Sequence, residues 1–175
     1  SDFDHPDLSA NIKYNYADPI DGVDNDNNGF IDDFKGWDFY YFDNDPNILG
    51  GSDHGSHVSG CASQVANNNV HGAGPGFKCK LRISKHAPDV PDNNIYNSNS
   101  GIVYLYQNGA KVINCSFGSA TFSAGTQNII NDAWAAGVVI VASAGNDGIN
   151  TPRYPASYDN VVNVAASNSG DLKAS

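Results

Sequence analysis

Five consecutive apolar residues, Val138-Val139-Ile140-Val141-Ala142, constrain the fold of this chain more than any other feature. A strand with one face in water alternates apolar and polar side chains, so an unbroken run of branched residues suits a strand covered on both faces, as in parallel sheets. The neighbouring sequence supports that reading. Ser100 can cap a helix through Gln107, with Ile102, Val103 and Leu105 turned inward and Asn108-Gly109 ending it. Lys111 to Cys115 reads as a strand, Ser123 to Ala136 as a helix with Ile129, Ile130, Ala133 and Trp134 on one side, and Val161 to Ala165 as another strand. Alternating strands and helices predict a parallel sheet with helices packed on it, whose chemistry gathers at the carboxyl ends of the strands.

Two such ends carry informative residues. Ser116-Phe117-Gly118 follows one strand, and Ala144-Gly145-Asn146-Asp147-Gly148 follows another. Taken alone, Asn146 is an ordinary turn asparagine. The earlier run Asp53-His54-Gly55-Ser56-His57-Val58-Ser59-Gly60-Cys61-Ala62 mounts a histidine on residues so small that another backbone can approach closely. Asp53 or Ser52 can cap a helix reaching about Ala66, and its interior glycines each cost about 1 kcal/mol relative to alanine, a loss that tight packing would offset. The same run also suits a plain capped helix start, or half of a metal site. For zinc, however, no carboxylate or thiol stands at a convincing spacing from His54 and His57.

Residues 18–46 concentrate the acid. In Asp24-Asn25-Asp26-Asn27-Asn28-Gly29-Phe30-Ile31-Asp32-Asp33, side-chain oxygens fall at alternate positions, glycine at the sixth, an apolar residue at the eighth and a carboxylate at the ninth. This spacing fits a calcium-binding loop of the EF-hand type, although Lys35 stands where the closing glutamate belongs. Asp24, Asp26, Asn28, Phe30, Asp32 and Asp33 are therefore the candidate ligands for Ca2+, and a solvated acidic loop is the alternative. No organic cofactor is expected.

The remaining bounds are coarse. A chain of 175 residues fits one domain. Its net charge of −10 argues against a nucleic-acid or anionic-membrane partner, and no apolar run is long enough for a membrane span. Three cysteines, Cys61, Cys79 and Cys115, do not make a disulfide framework. In an exported protein Cys61 and Cys79 could be bridged, whereas Cys115 reads as a small core residue.

The run from His54 closely resembles the His-Gly-Thr-His-Val-Ala-Gly signature around the general base of subtilisin-like serine proteases (peptidase family S8). Other segments resemble the same family: His5-Pro6-Asp7-Leu8, Gly36-Trp37-Asp38-Phe39, Ser116-Phe117-Gly118, Ala144-Gly145-Asn146-Asp147-Gly148 and Tyr154-Pro155-Ala156. The resemblance implies an α/β fold of three layers, a mostly parallel central sheet with helices on both faces, incomplete at both ends. Residues 1–175 then form a partial peptidase domain with an acidic insert at about 18–46.

It further implies a secreted endopeptidase with His54 as general base and Asn146 in the oxyanion hole. Ser116, Phe117, Gly118, Ala144 and Gly145 would line the cleft for an extended peptide. The family's catalytic aspartate would fall about two positions before Ser1, and its Gly-Thr-Ser-Met-Ala nucleophile segment beyond Ser175, so the chain alone is expected to be inactive. Missing edge strands would leave apolar surface that self-association could cover. Two other readings stay open: a non-catalytic binding module on the same fold, and a calcium-stabilised extracellular scaffold.

Overall fold

The computed structural model describes residues 1–50 and 53–174. The chain divides into two compact units, Ser1–Gly101 and Ile102–Ser175.

The first unit is built around a pair of short parallel strands. β1 (Gly36–Asp38) lies in what the sequence presents as acidic loop, and it pairs with β2 (Ile83–Lys85), Gly36 opposite Ile83 and Asp38 opposite Lys85. Gly36 is required at that position: its φ is 117°, and a Cβ there would collide with the Ile83 carbonyl oxygen. Phe30, Trp37, Phe39 and His86 stack around the pair, with the Phe39 and His86 rings parallel at 5.1 Å. Burial pushes the His86 pKa down, against the opposing pull of its bond to the Tyr96 carbonyl and of Asp38.

Between these strands in the chain comes α1 (His54–Ser63). Asp53 takes the N-cap position without a side-chain bond to the helix, and Ser52 lies outside the described residues. The helix stops earlier than the sequence suggests, because Gln64 turns extended and Val65 gives its N–H to the Asp7 carbonyl. Asn11 donates to the Ser63 and Phe77 carbonyls, which ties the opening segment to the same helix end.

α2 (Ser98–Gln107) begins two residues before Ser100, and the division between the units falls within it. The second unit continues with β3 (Val112–Cys115), α3 (Ala124–Ala135), β4 (Val139–Ser143) and β5 (Val161–Val164). The three strands are parallel in the order β3-β4-β5, with Cys115 opposite Ala142 and Ser143 opposite Val164. Both units are thus α/β with parallel pairing, as expected.

Ser123 caps α3 by accepting from the Thr126 N–H, and Gly137, at φ 80°, follows its end. Ile130 and Ala133 are fully buried against Ile113, Cys115, Ile140 and Ala142. Trp134, expected beside them, is 52 % exposed, because the buried face of the helix runs through Ile130 and Ala133, with Ile129 partly buried beside them. The alternate strand residues Val112, Val139, Val162 and Val164 are exposed. Cys115 is deeply buried, which pushes its thiol pKa up to about 12 and suits a packing role.

Candidate active site and acidic loop

His54 is the first residue of α1, exposed at the helix start. The small residues after it do receive another backbone: Asp2 donates its N–H to Ser56 Oγ at 2.9 Å, and Ser1 Oγ meets Ser59 Oγ at 2.9 Å. At the other end of the helix a Cβ on Gly74 would lie 2.7 Å from the Ser63 and Gln64 nitrogens. Both ends of α1 are therefore pinned by close backbone approach, which fixes the direction in which His54 leaves the helix.

His57 faces another way. Its Nε2 lies 3.8 Å from Cys61 Sγ, and the two line a cavity of about 680 Å³ with His5, Asp53, Gln64 and His71, whereas His54 is not among the lining residues. A thiol thus stands near His57, but it forms no set of three converging ligands among the described residues. Cys61 and Cys79 are free and exposed.

Around β2 the charges are paired. Lys85 Nζ lies 2.9 Å from Asp38 Oδ2 and 2.7 Å from Asp89 Oδ1, and it sits over the Tyr41 ring. Burial of the ammonium works against its charge, yet the two carboxylates outweigh it and hold the Lys85 pKa above its ordinary value.

In the acidic loop the carboxylates of Asp18, Asp24 and Asp26 converge, with one oxygen from each within 4.8 Å of the others. Asp18 escapes the sequence pattern because it lies six residues ahead of the loop, before Pro19. It is fully buried and holds the loop shut by accepting from the Asn25 and Asp33 N–H groups. Asp33 is buried beside Arg82 and accepts from Asn15 and Asn28. Asp32 turns elsewhere, at φ 60°, to accept from the Asp21 and Gly22 N–H groups. Ile31 at the eighth position is 52 % exposed, and the apolar anchor is Phe30, which packs edge-on against Trp37 and Phe39. Three carboxylates this close repel one another, and an all-oxygen donor set matches a hard cation.

In the second unit the register of β3 and β4 sends Ser116–Gly118 and Ala144–Asn146 off the same edge of the sheet from adjacent strands. Asn114 donates to Ser116 Oγ at 2.9 Å, and the Ala144 N–H is held by the Val164 carbonyl. Gly145 has φ 96°, a conformation that turns the chain sharply and presents exposed Asn146 at the tip. Among the described residues the Asn146 side-chain amide makes no hydrogen bond. Phe117 packs partly into the core.

Behind both segments stands residue Arg153, which sequence reading passes over. Its guanidinium pairs with Asp147, and the next residue, Tyr154, exchanges two 2.8 Å backbone bonds with Ser119.

The sequence pattern of the subtilase family, peptidase S8, matches residues 1–175. Thermitase from Thermoactinomyces vulgaris is 38% identical over 140 residues, which cover 80% of this chain and 50% of thermitase. A thermophilic serine proteinase from Bacillus sp. (strain AK1) is 32% identical over 174 residues, 99% of this chain and 38% of that sequence. Among solved structures, the S41 psychrophilic protease superposes with a TM-score of 0.68 at 27% identity, covering 94% of this chain and 50% of that one. The chain therefore spans half or less of the length of these relatives.

Proposed function

The chain belongs to the subtilase family of serine proteases, and from that premise we propose that it carries the general base and the oxyanion donor of a peptide-hydrolysing centre. The observation that carries the reading is the pair of strand ends. Ser116–Gly118 and Ala144–Gly145 leave adjacent parallel strands together, and the unengaged amide of Asn146 sits at the tip of the second. An extended peptide binds there through its main chain, as an added strand would.

In the reaction a serine hydroxyl attacks the scissile carbonyl while the His54 imidazole takes its proton and later returns it to the leaving amine. The carbonyl oxygen gains negative charge in that step, and the Asn146 amide donates to it there. No serine of this chain has the Gly-Thr-Ser-Met-Ala context of the family's nucleophile. On this reading the nucleophile, and the aspartate that orients His54, are supplied from outside residues 1–175. A fluorophosphonate probe tests this directly. The full-length protein should label on one serine, and residues 1–175 alone should not. Labelling of the isolated chain, or none of the full-length protein, would overturn the reading.

The same reading includes structural Ca2+ in the acidic loop, held by carboxylates of Asp18, Asp24 and Asp26, and an extracellular setting in which that ion is available. The ion would neutralise the converging carboxylates and lock the 18–33 loop against β1. Chelator treatment should lower the thermal midpoint by several degrees, since a ligand bound only to the folded state contributes about 3 kcal/mol at a hundredfold excess over its Kd. In a D24N/D26N variant the midpoint should no longer respond to calcium or chelator. An unchanged midpoint in the native chain would exclude calcium from the loop.

A further inference from the structure

We propose that Arg153 sets the depth of the cleft between Ser116–Gly118 and Ala144–Gly145, so that the site selects substrates with a short side chain on the acyl side of the scissile bond (P1). This rests on the peptidase reading above and names its substrate class.

The side chain of Arg153 lies against the glycine of each wall. Its Cβ is 3.9 Å from where a Cβ on Gly118 would stand, and its Cγ is 3.2 Å from the equivalent point on Gly145, with Cδ and Nε at 3.9 Å. The stem therefore occupies the space that the two glycines leave open. Its origin is fixed, because the Arg153 N–H donates to Ser157 Oγ and the next residue is laddered to Ser119. Its far end is fixed as well, since the guanidinium pairs with Asp147 in the same turn that carries Asn146. Only 30 % of the Arg153 side chain is exposed.

Selection here is by size. The ion pair leaves the cleft floor with no net charge, so neither an acidic nor a basic P1 residue gains from it. A P1 ring or long alkyl chain would have to displace the arginine stem, whereas alanine or serine would rest on it. The sequence hides this arrangement, because Arg153 stands 8 residues from Gly145 and 35 from Gly118.

The test measures kcat/KM of the full-length protein on a fluorogenic peptide series differing only at P1, with Ala, Ser, Leu and Phe. The native enzyme should favour Ala over Phe by at least about tenfold, the range a hydrophobic pocket gives for a few methylenes. R153G should raise the Phe value about tenfold or more while leaving Ala within about threefold, and R153A, which keeps the backbone restrained, should move the ratio in the same direction. D147N keeps the stem and only loosens its far end, so it should move the ratio in the same direction by less than R153G does.

Cleavage with a P1 ratio that neither Arg153 variant alters would overturn this inference and leave the peptidase reading standing. A ratio that D147N shifts as far as R153G would also overturn it, by making the charge pair rather than the stem decisive. Failure of the native protein to cut any peptide of the series would overturn both.

Discussion

Replacing His54 by alanine in the full-length protein is expected to lower kcat on a peptide substrate roughly a million-fold, with KM little changed. That magnitude is the one known for the catalytic histidine of subtilisin itself, a member of the same family. The physical reason is that a serine hydroxyl is a weak nucleophile until a base takes its proton in the transition state, and the triad acts as a unit. His54 is exposed and is the first residue of α1, so its loss removes no core packing. Circular dichroism should stay as in the native protein and the thermal midpoint should move by no more than a few degrees, the cost of one interaction at an exposed side chain, which separates a lost base from a lost fold. A variant that kept more than about a thousandth of the native rate would show that the base lies elsewhere.

Replacing Asn146 by leucine should cost about 10²- to 10³-fold in kcat, equivalent to about 3 to 4 kcal/mol of transition-state stabilisation, again a figure known from subtilisin itself. Leucine keeps the shape and removes the donor. Because the oxyanion exists only after attack, KM should move far less than kcat. Asn146 makes no side-chain bond among the described residues, so the substitution breaks nothing in the resting structure. Equal changes in kcat and KM would instead place Asn146 among groups that bind the substrate before reaction.

The parts of the structure legible in the sequence are those where local pattern and tertiary environment agree. The apolar run at Val138–Ala142 supplies most of β4 (Val139–Ser143), with Ile140 and Ala142 in the core of the second unit, although Val139 is exposed where the run predicts cover on both faces; α3 follows from its serine cap and glycine stop. His54 at the start of a helix made from small residues is also readable, since the small side chains are where the Asp2 backbone docks.

Other features depend on distant residues and leave no local signal. β1 is three residues long and ends in aspartate, so its strand character comes from pairing with β2 almost fifty residues later. Helical spacing assigns Trp134 to the core, but the helix buries a narrower face than the pattern allows. In the acidic loop the periodic spacing identifies Asp24 and Asp26. It does not reveal Asp18, whose burial follows from the two N–H groups it accepts. Ile31 matches the pattern of an anchor and is solvent-facing, because Asp32 in a left-handed conformation turns the chain and Phe30 takes the apolar contact. Arg153 belongs to the same class, since only the folded chain sets it against Gly118 and Gly145.

That His54 and Asn146 serve one reaction is open to a double-mutant cycle in the full-length protein. H54A, N146L and the double variant are compared by kcat and KM on one peptide. Each single substitution should lower kcat far more than KM, and the coupling between the two losses in the double variant measures how far base and oxyanion donor depend on each other. A cycle in which neither substitution slows the reaction, or in which either one acts on KM alone, would contradict a shared transition state.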